Sequence, residues 1–305
     1  MNRIIRIGTR DSRLAVWQAG EVRKRLSAKS HLSSVEFIKS HGDLDLITPL
    51  YEAGVQGIFT KALDVALLEK KIDIAVHSYK DVPTRLAEGL LVAAVLKRGN
   101  PFDVLVCKSE SVLQDVQAGI PLTIATSSVR RKAQWLFRYR NSQIENIRGN
   151  VQTRLRKLRS SPWHGTILAA TGLQRLELTF LQTGPQLQLD WMLPAPAQGA
   201  IVIICRKEDH EIISACYDIN HGPTRICTAV ERHFLRLMQG GCSTPISALA
   251  TIDENEINFN ANITATDGNA SISVSIREKR ENASLIAQKA VNEMKIKSAN
   301  ELLLD

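Results

Sequence analysis

The chain has 305 residues, with 39 Lys and Arg against 31 Asp and Glu, a net charge of +8. The excess is local: residues 130–159 hold eight Arg, two Lys and one acid, Glu145, so this stretch carries +9 and the remainder −1. That excludes a surface coating polyanions in general and points to one anion-binding region, while 44% hydrophobic and 23% charged residues exclude wholesale disorder.

Ile4–Ile7 reads as a strand, followed by a helix beginning near Ser12 with Leu14, Ala15, Gln18 and Val22 in register. Apolar residues at 59, 62, 63, 66 and 67 make a helical stripe over Phe59–Glu69. Ile72–Val76, Leu90–Leu96, Val104–Cys107, Leu122–Ala125, Ile167–Ala170 and Ile201–Cys205 read as further strands. Strands separated by helices predict a mostly parallel α/β sheet. Gly99-Asn100-Pro101 and Pro194-Ala195-Pro196 bracket a segment that reads as an inserted domain. In the tail, Ile257, Phe259, Ala261, Ile263 and Ala265 alternate with polar residues, as do Ile272, Val274 and Ile276, with Asp267-Gly268 as the turn between. A helix from about Asn282 completes an antiparallel α+β domain.

The start, MNRIIRIGTRDSR, has no apolar core of a secretory leader, and no apolar run reaches the ~18 residues of a membrane span. Five cysteines, an odd count without a CxxC pair, argue against a disulfide framework and a zinc site. No metal is expected, and the expected compartment is the cytoplasm.

Four places could carry chemistry. Thr126-Ser127-Ser128-Val129-Arg130-Arg131 follows a strand, where a helix N-terminus and two guanidinium forks suit a carboxylate or phosphate. A capped surface helix with solvated arginines reads equally well. Ile147-Arg148-Gly149-Asn150-Val151, with Arg154 one turn on, forms a second such junction; an exposed amphipathic helix is its plainer alternative. At His77-Ser78-Tyr79-Lys80-Asp81-Val82-Pro83 a carboxylate and a Lys stand beyond a strand's carboxyl end, where α/β sheets bind ligands; a local Lys–Asp turn explains them too. Gly240-Gly241-Cys242-Ser243 leaves a cysteine on an open loop, able to be a nucleophile or an attachment point, though most cysteines are structural.

Together these pieces resemble one family, hydroxymethylbilane synthase, also called porphobilinogen deaminase. The matching segments are Ile7–Ala15, Gly57–Lys61, Asp73–Pro83, Thr126–Arg131, Arg148–Val151, Thr153–Leu155, Thr171–Leu176, Leu193–Ala200 and Glu231–Ile246, in the family's order and over nearly the whole chain. The resemblance implies two α/β domains like those of type II periplasmic binding proteins around a cleft, and a small α+β C-terminal domain. The implied division is 1–98 plus 195–217, 99–194, and 218–305.

It implies the chemistry as well: four porphobilinogen molecules joined head to tail with loss of ammonia, then hydrolysis to hydroxymethylbilane. A dipyrromethane cofactor is implied, attached through a thioether at Cys242. Asp81 matches the carboxylate that assists ammonia loss and stabilises the azafulvene-like cation. Lys80, Ser127, Ser128, Arg130, Arg131, Arg154 and Gln198 match cofactor-binding positions. Arg10, Ser12, Thr126, Arg148 and Arg175 match substrate-binding positions, with Phe59 packing against a pyrrole ring. The implied partner is the small-molecule substrate porphobilinogen, with no nucleic acid and no membrane, acting on a monomer.

Several positions depart from the common pattern. Glu52 and Gln56 stand before GIFTK where many members have Lys, and His41 precedes Gly42-Asp43 where Arg is frequent. Ala125, Tyr79 and Ile204 replace a Gly, a Met and a Glu. The competing reading is a non-catalytic two-domain anion-binding or ligand-sensing protein, which needs neither an open Gly-Gly-Cys loop nor Asp81. A nucleic-acid binder would use the basic stretch as a phosphate track, but buried-helix residues interrupt the arginines.

Overall fold

The computed structural model describes residues 3–39, 60–178, 183–241 and 244–302. The described residues fold into two compact units, one holding 3–39 and 60–99 with Gly199–Ile226, the other holding 100–178, 183–198, 227–241 and 244–302.

The first unit is built on a five-stranded sheet. Its strands are β1 (Ile5–Thr9), β2 (Ser33–Phe37), β3 (Ile74–Ser78), β4 (Leu90–Val95) and β10 (Ile201–Arg206), in the order β2-β1-β3-β10-β4. Four strands run the same way and β10 opposes them. β10 reads IVIICR with every residue buried, the continuous apolar run of a strand covered on both faces. α1 (Arg13–Ser27) lays Ala19, Val22 and Leu26 on Ile5, Ile7, Ile74 and Val76 of one face, joined by Ile212 and Ala215 of α7 (His210–Tyr217). Between the other helix of this unit, α2 (Lys61–Leu68), and the sheet there is so little room that a Cβ on Gly8 would lie 2.2 Å from Ile72 Cδ1.

In the second unit, β5 (Asp103–Cys107), β6 (Thr123–Ala125), β7 (Gln143–Glu145), β8 (Gly165–Ala169) and β9 (Gln186–Gln188) follow the order β7-β6-β8-β5-β9. Here β5 is the opposing strand, so this sheet repeats the layout of the first. Helices α3 (Glu110–Gln117), α4 (Val129–Arg138), α5 (Val151–Ser160) and α6 (Ala170–Arg175) connect the strands. Trp135 is fully buried on one face among Leu105, Ile124 and Ile167, and Leu155 and Leu158 pack with Val104 and Leu168 on the other.

The same unit holds a three-stranded antiparallel meander, β11 (Ile246–Asp253), β12 (Glu256–Thr264) and β13 (Ser271–Lys279), followed by α9 (Ala283–Leu302). Helix α8 (Gly222–Leu237) leads into it, and its buried Glu231 accepts the N–H of Ala197 at 2.6 Å and of Ala250 at 2.8 Å. Gln134 of α4 donates to Ser247 Oγ at 2.9 Å and accepts from Asn262 Nδ2 at 3.2 Å, fastening the meander to the arginine-bearing helix.

The α/β class and the α+β tail are as the sequence predicts. Three strands escaped the pattern: β2 (SSVEF), β7 (QIE) and β9 (QLQ) lie at sheet edges, half-exposed, and so lack an apolar signature.

Candidate active site at two strand edges

In the first unit β1 and β3 are parallel neighbours, with Ile7 beside Ile74 and Gly8 beside Ala75. The residues that follow each strand therefore leave from the same edge. After β1 come Arg10, half-buried, and Ser12, whose hydroxyl caps α1 by accepting the Ala15 N–H at 3.4 Å. After β3 the chain turns at once through a single 3-10 turn, Tyr79–Asp81, anchored by the Tyr79 N–H on the Ala200 carbonyl at 3.0 Å. The turn buries Tyr79, leaves Lys80 half-buried and turns Asp81 out to solvent. His77, the fourth residue of β3, is 6% exposed with no hydrogen-bond partner for Nε2 among the described residues. Burial, reinforced by the Arg10 charge, pushes its pKa down to about 4, so this ring is neutral. On α2, burial pushes the Asp64 carboxyl up to about 6, and its Oδ1 also lacks a partner among the described residues.

In the second unit β7, β6 and β8 are parallel neighbours, Ala125 lying between Glu145 and Thr166. Their carboxyl ends release the two basic junctions side by side. Thr126 is buried, and its hydroxyl accepts the Ser128 N–H at 3.2 Å. Ser128 caps α4 by accepting the Arg131 N–H at 3.4 Å. Ser127 reaches to the neighbouring loop and bonds both backbone groups of Ile147. Asn150 caps α5 through the Thr153 N–H at 2.9 Å. Just before it Gly149 has φ +111°, and a Cβ there would lie 2.6 Å from Thr153 Cγ2. Only glycine suits that turn. Arg154 Nε donates to the Gly149 carbonyl at 2.8 Å, and Arg175 ends α6 half-buried.

The first two arginines of α4 are not solvated. Arg130 is 5% and Arg131 6% exposed, and both guanidiniums close on Asp103, a fully buried acid at the start of β5. Gln198, also fully buried, donates to the same carboxylate at 3.0 Å and to the Pro101 carbonyl at 2.7 Å. Arg148 is different: its Nη2 is buried without a hydrogen-bond partner among the described residues. An orphaned guanidinium nitrogen at a strand edge is a place for an anion, so the residues present fit a polycarboxylate.

Cys242 and Phe59 lie outside the described residues. Gly241 and Thr244, on either side of positions 242 and 243, are joined by the Thr244 hydroxyl donating to the Gly241 carbonyl at 2.8 Å. The other four cysteines are buried, and burial pushes the thiols of Cys107 and Cys205 up to about 12, which makes them unreactive. No group of His, Cys, Asp or Glu able to hold a metal occurs among the described residues.

Sequence reasoning missed Asp103, Gln134 and Glu231. The available signal was an ionisable or amide residue placed on an otherwise apolar strand or helix face, which a folded chain tolerates only when it is bonded.

Fold and edges define an α/β protein with an exposed acid at one set of strand ends and arginines at another, a set of groups that suits carboxylates. Comparison with known proteins narrows this class. Family models described as porphobilinogen deaminase, dipyromethane cofactor binding domain, and porphobilinogen deaminase, C-terminal domain, match residues 5–214 and 225–296. The chain belongs to the porphobilinogen deaminase family. Among its relatives, a chloroplastic porphobilinogen deaminase of Oryza sativa is 43% identical over 87% of this chain and 75% of that protein. A porphobilinogen deaminase of Legionella pneumophila is 39% identical over 99% of this chain and 97% of its own length. Among solved structures, a probable amino-acid transporter extracellular-binding protein from Bacillus subtilis is 13% identical with a TM-score of 0.42, over 71% of this chain and 91% of that one.

Proposed function

We propose that this chain is a hydroxymethylbilane synthase, a transferase that condenses four porphobilinogen molecules head to tail with release of ammonia and then hydrolyses the product to hydroxymethylbilane. The observation that carries the reading is the buried Nη2 of Arg148, without a partner among the described residues, beside the Ser127–Ser128 junction, in a chain whose family handles a product with eight carboxylates.

Each substrate brings an acetate and a propionate, so bound carboxylates multiply as the product grows. Arginine meets that need because its planar fork binds a carboxylate through two bonds and keeps its charge when buried. In this proposal Arg10, Ser12, Thr126, Arg148 and Arg175 bind substrate carboxylates, and Phe59 stacks on a pyrrole. Lys80, Ser127, Ser128, Arg130, Arg131, Arg154 and Gln198 hold the cofactor. Attachment at Cys242 supplies a covalently held pyrrole terminus on which units are added. Asp81 does the chemistry on the chain's side: loss of ammonia leaves positive charge on the substrate methylene, and a carboxylate fixed on a short rigid turn stabilises it.

The same proposal includes the three-domain division given above, a cytoplasmic monomer, and no nucleic-acid or membrane partner. Burial of Arg130 and Arg131 favours a small anion held in a closed site over a phosphate track running along an open surface. Among the described residues no helix is long and apolar enough to cross a membrane.

Intact mass spectrometry tests the reading. Purified protein is expected to carry two linked pyrrole units, lost in Cys242→Ser. An unmodified and inactive wild type would overturn it.

A further inference from the structure

Two buried arginines share one buried acid. Asp103 Oδ2 accepts from Arg130 Nη2 at 2.6 Å, and Oδ1 accepts from Arg131 Nη2 at 2.7 Å and Nε at 3.1 Å. The other bonds of the pair go to neutral carbonyls, Arg130 Nη1 to Leu193 at 2.7 Å and Arg131 Nη1 to Ile167 at 2.8 Å. Among the described residues no second acid reaches either guanidinium, and Arg130 Nε–H donates to nothing. Burial and the Arg131 charge hold the Arg130 guanidinium below its ordinary range, with Asp103 acting in the opposite direction. A pair serving only to brace the fold would be neutral, since a surplus charge with no water around it is unfavourable. The surplus makes sense when an anion completes the cluster.

We infer that Asp103 is a positioning residue: it clamps Arg130 and Arg131 side by side and cancels one of their two charges, so that the pair presents one net positive charge, and one free Nε–H, to a single carboxylate of the pyrrole chain. The inference rests on the reading of Arg130 and Arg131 as carboxylate-binding. Gln198 completes the device by donating to Asp103 Oδ1 at 3.0 Å, the oxygen that Arg131 also bonds.

The test compares Asp103→Ala, the isosteric Asp103→Asn and Arg131→Ala, each checked for folding by circular dichroism. The readouts are the fraction of protein carrying the two-pyrrole adduct by intact mass, and KM against kcat for porphobilinogen. Both Asp103 variants are expected to load less cofactor and to raise KM about 10- to 100-fold, the effect of misplacing a charge-assisted hydrogen bond. Formate, a small carboxylate that fits the space left by the side chain, is expected to restore loading in Asp103→Ala and not in Asp103→Asn. Folded variants with normal loading and KM overturn the inference, as does a loss in Asp103→Ala that formate leaves unchanged. If neither variant folds, Asp103 is a folding residue and the inference falls. Normal loading and KM in Arg131→Ala overturn the underlying reading instead; a defect there with normal Asp103 variants overturns the inference alone.

Discussion

Ser127 and Ile147 hold each other twice: the Ser127 hydroxyl donates to the Ile147 carbonyl at 2.8 Å and accepts the Ile147 N–H at 3.0 Å. Ile147 is buried, so neither backbone group has water as a substitute. This side chain ties together the loops that carry the two basic junctions. Ser127→Ala is expected to lower stability by about 1–3 kcal/mol, the range for leaving a buried donor and acceptor unmade. Denaturant unfolding of the variant checks it, and a midpoint equal to wild type would contradict it.

Arg148 should behave in the opposite way. Its Nη2 contributes no hydrogen bond within the described residues, so truncation removes an uncompensated buried nitrogen. Arg148→Ala is expected to unfold no earlier than wild type while raising the KM for porphobilinogen about 10- to 100-fold. Arg148→Lys should recover only part of this, because an ammonium is a point charge without a fork. Steady-state kinetics and thermal melts on the same samples separate the two effects.

Asp81 is exposed at the end of a 3-10 turn. Its replacement by Asn is expected to leave stability within about 0.5 kcal/mol of wild type. Porphobilinogen consumption should fall by about 100-fold or more, as expected when a fixed charge facing a developing one is removed. Normal turnover in Asp81→Asn would take this residue out of the mechanism.

Gly149 is a folding requirement of the second junction. Gly149→Ala would force an L-residue to φ +111° and push its Cβ to 2.6 Å from Thr153 Cγ2. The expected loss is about 1–3 kcal/mol, with the Thr153 contact deciding where in that range it falls. Gly20, which has nothing near its Cβ position, is the control: Gly20→Ala in the middle of α1 should be neutral or stabilising.

Two buried groups give stability opposing pH dependences. His77 has a folded pKa of about 4, below its ordinary 6.5, so the unfolded chain binds more protons between those values. Its contribution is complete above pH 6.5 and is lost as pH falls towards 4, a change of roughly 3 kcal/mol. Asp64 has a folded pKa raised to about 6 from 3.8, so the folded chain binds more protons in that window and stability falls as pH rises through it. The two nearly offset between pH 4 and 6. His77→Gln should therefore expose a stability that declines from pH 4 to 6, and Asp64→Asn one that climbs from pH 4 to 6.5; urea unfolding across pH reads both.

Much of this protein was legible in the chain alone. Periodicity marked the buried strands and helices because a central strand such as IVIICR has no polar face to confuse it. Local chemistry placed the caps, since Ser12, Ser128 and Asn150 satisfy N–H groups only three residues away. The edge strands were illegible because half-exposed QIE and QLQ carry no apolar pattern and exist only through their neighbours.

The arginines mark the boundary between the two kinds of knowledge. Composition located them within thirty residues, and motifs singled out some of them. Nothing local distinguishes Arg130, buried on an acid 27 positions away, from Arg148, whose Nη2 is buried with nothing to bond among the described residues. That difference is made by the opposing strand β5, which carries Asp103 under α4 and offers no acid to the neighbouring junction. The cost of burying a charge depends on what faces it, and what faces it is decided by chain segments that meet only in the folded protein.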